Sequence, residues 1–136
     1  MNENSFPTIY DQTTIQDVKY QDITYYKDDG QVSINPQENV PVDFLKAMNE
    51  MGKLDWRYEY NFVGFENHKN GGIVQFIRQG KDKWYCEIPI RVNGKWDGYS
   101  WAAYSDSKTV TNMLRLFFEE VSWSGMLSWK MRRYHA

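Results

Sequence analysis

Histidine and cysteine supply most nucleophiles, general bases and soft metal ligands, and this chain of 136 residues holds only two His and one Cys. Cys86 stands between Trp84 and Ile88, on the apolar side of an alternating run. A free cysteine in such a place packs as a small hydrophobe. His68 lies in the Gly/Asn-rich stretch Glu66-Asn67-His68-Lys69-Asn70-Gly71-Gly72, where a general base with Glu66 beside it is conceivable and an exposed loop histidine is the plainer reading. His135 adjoins the final residue and is read as frayed. Glu119 and Glu120 are helix neighbours, so they point in different directions and make no carboxylate dyad. Asp28-Asp29 and Asn67 with Asn70 are turn chemistry. Asn70-Gly71-Gly72 lacks the following Lys-Ser/Thr of a phosphate-binding loop. No zinc or EF-hand spacing is present, so no metal and no cofactor is expected, and the chain reads as non-catalytic.

Against that sparse set stand ten Tyr, seven Phe and six Trp. Aromatic side chains bring contact area to cores and interfaces, which suits packing and binding. The length fits one domain, residues 1–136, able to fold without disulfides. No apolar run approaches the ~20 residues of a membrane helix, and the first residues carry neither the basic nor the apolar part of a secretory signal. A cytoplasmic location without membrane contact is the expectation. The formal net charge of −2 hides a gradient. Residues 1–68 hold 12 acids and five bases, whereas residues 69–136 hold six acids and 11 bases.

The elements that must position these residues follow from periodicity. Residues 1–14 are polar and aperiodic, and read as a flexible arm. Val18–Tyr26, the turn Asp29-Gly30 and Gln31–Ile34 predict an acidic hairpin within residues 15–40 that protrudes or forms an edge. Pro41 to Met51 predicts a short amphipathic helix closed by Gly52. Trp56 to Phe65 predicts a strand, with Trp56, Tyr58, Tyr60 and Phe62 on one face and Arg57, Glu59 and Asn61 on the other, followed by strands over Ile73–Arg78, Trp84–Val92 and Lys95–Tyr104. Asn93-Gly94 joins the last two as a hairpin. Pro89 marks an edge or a bulge, and Gly98 a second irregularity. Ser105-Asp106-Ser107 offers three caps for a helix to about Val121. The tail Met126–Tyr134 reads as a last strand or short helix. The predicted fold is α+β: an antiparallel sheet of about four to six strands, covered on one face by the C-terminal helix, with a second short helix and the N-terminal hairpin.

Two binding surfaces emerge. The first comprises Asp17, Tyr20, Asp22, Tyr25, Tyr26, Asp28 and Asp29, acids interleaved with tyrosines, suited to a larger basic protein such as a nuclease. The second comprises Lys95, Trp96, Tyr99 and Trp101 with Trp129, Lys130, Arg132 and Arg133, the combination used by single-strand nucleic-acid binders. Size, acidity, aromatic richness and the missing catalytic kit match the profile of small bacterial and phage inhibitors, toxin-immunity and anti-defence proteins among them. The leading expectation is therefore a protein-binding inhibitor of a nucleic-acid-handling partner. The alternatives are a single-stranded nucleic-acid binding module and a small structural or assembly subunit, with the oligomeric state left open.

Overall fold

Hydrophobic alternation sorts the strand residues onto two sides, and both helices lie on one of them. The computed structural model describes residues 22–133. The expected arm, Asp17, Tyr20 and the start of the first expected strand lie outside the described residues, as do Tyr134 and His135. The strands are β1 (Ile23–Asp28), β2 (Ser33–Ile34), β3 (Val40–Pro41), β4 (Phe62–Asn67), β5 (Ile73–Gly80), β6 (Lys83–Val92), β7 (Lys95–Ser105) and β8 (Lys130–Arg133). They form one eight-stranded sheet in the order β2-β1-β4-β5-β6-β7-β8, with β3 also paired to β1. Every pairing is antiparallel. The domain is α+β, as the residue pattern predicts, with more strands than expected. β2 and β3 have two residues each, too few to leave an alternating pattern.

Helix α1 (Phe44–Lys53) begins later than expected, because Asp43 caps it by accepting from Lys46 N–H at 2.7 Å. Pro41 instead sits in β3 opposite Thr24. Helix α2 (Ser107–Phe118) starts from the middle of its three candidate caps, Asp106, which accepts from Thr109 N–H at 2.8 Å. Both helices pack their apolar stripes on the same core. Phe44, Met48 and Met51 meet Val110, Met113, Leu114 and Phe118 over Ile23, Phe65, Phe76, Trp84 and Cys86 of the sheet. The cover expected from the C-terminal helix alone is thus shared by two. No described helix is long and apolar enough to cross a membrane.

The strand expected over Trp56–Phe65 forms only from Phe62 onward. Its first half folds into two successive turns, Tyr58 N–H to Asp55 C=O and Asn61 N–H to Tyr58 C=O. Asp55 drives the first turn by also accepting the Arg57 N–H and its guanidinium. Asn61 then stands in for the missing strand: its side chain bonds both the N–H and the C=O of Arg78 at 2.9 Å. Arg78, 1% exposed, lies between the Trp56 and Trp84 rings, 4.9 and 5.3 Å from their centroids.

The N-terminal hairpin is tied into the sheet. β1 pairs along all six residues with β4, and on its other side with β2 and β3. Its buried Lys27 ammonium binds Glu50 of α1 at 2.6 Å and Asp29 at 2.8 Å. Burial opposes ionisation of Asp29, yet the Lys27 ammonium and the N–H groups of Val32 and Gln31 outweigh it and hold the carboxyl at about 2. Glu50 is held below its ordinary range in the same way by Lys27 and Lys53. Lys27→Met leaves these carboxylates without their shared cation and should cost about 3–5 kcal/mol in chemical denaturation. Both folded-state values lie below the unfolded ones, so this stability is present above the ordinary carboxylate range and is lost as pH falls, for Asp29 toward about 2. An acid-unfolding profile that is unchanged by Lys27→Met would contradict the assignment.

Candidate functional site

On the side of the sheet away from both helices, three rows of side chains cross the strands. Strand register sets them, since every second residue of each strand faces this way. The central row is Tyr26, Gly64, Gln75, Glu87, Ala102 and Lys130. On one side of it lie Ile77, Tyr85 and Tyr104. On the other lie Thr24, Glu66 and Ile73, continued across β6, β7 and β8 by Pro89, Ser100 and Arg132.

The central row is joined by hydrogen bonds. Tyr26 hydroxyl donates to Gln75 Oε1 at 2.9 Å, and Gln75 Nε2 donates to Glu87 Oε1 at 2.9 Å. Tyr26 reaches Gln75 by lying over Gly64, where a Cβ would overlap its ring. Burial pushes the Tyr26 phenol well above its ordinary value. Burial likewise raises the Glu87 carboxyl, partly offset by the Gln75 amide and by the Arg132 charge. A second carboxylate on this face, Glu66, takes Arg91 Nη1 at 2.8 Å, and that ion pair holds it below its ordinary range.

Toward β8 the face becomes aromatic and basic. Tyr85 and Tyr104 pack with ring centroids 5.0 Å apart. Lys83 lies 5.7 Å from the Tyr104 ring, and the Arg132 guanidinium 5.3 Å from the Tyr85 ring. Arg132 Nη1 also donates to the Tyr85 hydroxyl at 2.5 Å. Tyr104 is 62% exposed and Trp96 is 53% exposed. Two cavities line up here. One, of about 310 Å³, runs from Tyr26 and Glu66 past Glu87 to Trp96; the other, of about 360 Å³, lies among Tyr85, Tyr104, Lys130 and Arg132. Both are within the size range of small-ligand and single-base sites.

The two expected surfaces fare differently. In the acidic set, Tyr25 and Tyr26 are buried on opposite faces of β1, Tyr25 in the core. Asp28 accepts from Gly30 N–H and the Tyr58 hydroxyl, and Asp29 is engaged by Lys27. Asp22 is half-buried, its carbonyl accepting from His68 N–H. In the aromatic-basic set, β7 and β8 bring the residues together but divide them between faces. Trp96, Lys130 and Arg132 join the open face, while Trp101 and Met131 pair on the helix side and Arg133 lies 5.9 Å from the Tyr99 ring there. Lys95 is exposed at the β6–β7 turn, and Trp129 packs against the core edge with its indole N–H on Ser124 C=O.

Tyr85, Tyr104, Lys83, Gln75 and Glu87 escaped the sequence reading as site residues. The signal was partial, because Tyr85, Glu87, Pro89 and Arg91 do alternate on one side of β6. What hid Tyr104 is a register shift between Pro89 and Arg91, opposite Gly98 at φ +90°. Cys86 is fully buried, its thiol pushed up by burial to about 12, and supplies no thiolate at neutral pH. His68 Nε2 lies 2.8 Å from Thr24 Oγ1, and Nδ1 is 3.8 Å from Glu66. Comparison with protein-family models, curated proteins and solved structures finds no match for this chain.

Gly64→Ala should displace Tyr26 from Gln75 and cost about 1–3 kcal/mol, measured by urea denaturation. Adding Tyr26→Phe to Gly64→Ala should cost less than the two changes separately, since both break the same row. Strict additivity would show that the row does not act as a unit.

Proposed function

We propose that this chain binds single-stranded nucleic acid across the open face of its sheet. The carrying observation is the placement of exposed Tyr104 and Trp96 on the face that also holds Lys83, Lys130 and Arg132. Unpaired bases stack on aromatic rings at about 1–3 kcal/mol each, and every base offers a π-face. Neighbouring Lys and Arg side chains meet the phosphates between stacked bases. Sheets with one helix-covered side and aromatics on the other are a recurrent platform for such strands. The net charge of −2 does not oppose this, because local potential governs the encounter. Many of the acids are engaged elsewhere: Asp29 and Glu50 by Lys27, Glu66 by Arg91, Asp43 and Asp106 as helix caps.

The inhibitor reading ranks second. The described members of its acidic set share no exposed face, with Tyr25 in the core and the carboxylates of Asp28 and Asp29 held by their own turn.

A single-stranded oligonucleotide of about 12 nucleotides should quench tryptophan fluorescence at low salt, with quenching lost as salt rises. The double change Lys130→Glu and Arg132→Glu should weaken binding about tenfold or more and flatten the log–log salt slope by about 2. No quenching at low salt would remove the proposal.

A further inference from the structure

We propose that Glu87 reads the base: its free carboxylate oxygen accepts a hydrogen bond from the exocyclic amino group of a nucleobase seated against Trp96. This deepens the nucleic-acid reading and rests on it. Glu87 is 2% exposed and lines the cavity of about 310 Å³ that Trp96 also lines. Its Oε1 is taken by Gln75 Nε2, and the Gln75 amide oxygen accepts from the Tyr26 hydroxyl. Oε2 is buried and has no hydrogen-bond partner among the described residues. Its register neighbour on β7 is Ala102, a methyl group that cannot supply one.

A buried carboxylate oxygen without a donor is costly, and natural folds rarely leave one without a reason. Here the row that orients Glu87 also explains what is missing. One oxygen is fixed on the protein, and the other is buried without a donor among the described residues, on a side chain that lines the cavity. Burial raises the Glu87 carboxyl, the Arg132 charge partly offsets this, and the Arg132 guanidinium donates to the Tyr85 hydroxyl. Carboxylates accept from the amino group of cytosine, whereas thymine presents a carbonyl acceptor at the same position and would face Oε2 with like polarity. The site therefore discriminates amino-bearing bases from thymine and uracil.

The test is direct binding of single-stranded oligo(dC) and oligo(dT) of equal length to the full chain at one salt concentration. The parent should prefer oligo(dC) by about tenfold. In Glu87→Gln the amide oxygen remains on Gln75 and an N–H₂ donor turns toward the cavity, so the preference should reverse toward oligo(dT). Should Glu87→Gln fail to fold, Ala102→Ser provides an internal hydroxyl donor for Oε2 and should level the two affinities. Equal binding of both oligonucleotides by the parent, or an unchanged preference in the variants, would overturn the base-reading role and leave nucleic-acid binding standing. Binding of neither oligonucleotide would overturn both.

Discussion

A tyrosine laid across a glycine is the constraint on which the open face depends. Tyr26 reaches Gln75 on β5 only by passing over Gly64 on β4. Gln75 then holds Glu87 on β6, so one hydrogen-bonded row orders side chains of β1, β5 and β6 across the bare backbone of β4. Any side chain at residue 64 would lift Tyr26 away, turn the Gln75 amide loose and leave Glu87 undirected. The face beyond Glu87 is different in kind. It is a set of tilted, packed rings and cations, Tyr85 with Tyr104 and Arg132 with Tyr85, that needs only the β6–β7–β8 register. An ordered polar row thus meets a sequence-tolerant aromatic-basic half, a division that suits one specific contact beside several general ones.

Buried charge holds the sheet in shape at two places. Near β1, Lys27 joins its own turn to α1 through Asp29 and Glu50. Near β5, Arg78 is gripped between two indole rings and donates to Lys81 C=O at 2.9 Å, while Asn61 closes the ladder beside it. A buried ion pair contributes little net stability over an apolar replacement, but losing one member is expensive. Such clusters therefore fix geometry more than they add free energy. They set where β1 and the Trp56–Asn61 turns lie, and β1 carries Tyr26.

Much of the fold was legible in the residues. α2 announced itself through three adjacent caps and a wide apolar stripe, and β5, β6 and β7 through alternation and Asn93-Gly94. The Trp56–Tyr60 alternation misled because Asp55 and Asn61 offer side-chain hydrogen bonds that make turns cheaper than strand pairing. The site was harder to read. Period-2 patterns say which residues share a face but not which face the helices cover, so Tyr85 and Glu87 could not be told from an ordinary solvent side. Tyr26 looked like part of an acidic loop because its partner Gln75 is 49 residues away. Trp101 and Trp96, five residues apart on β7, were grouped as one surface, yet strand alternation puts them on different sides.

The central claim is that single-stranded nucleic acid lies on the face away from the helices. Photo-cross-linking with an oligonucleotide carrying 5-iodocytosine, followed by mapping of the linked peptides, tests it most directly. Cross-links at Trp96, Tyr85 and Tyr104, on β6 and β7, are the predicted result. Cross-links confined to helix-side residues such as Trp56 or Trp123, or none at a concentration that quenches fluorescence, would contradict it.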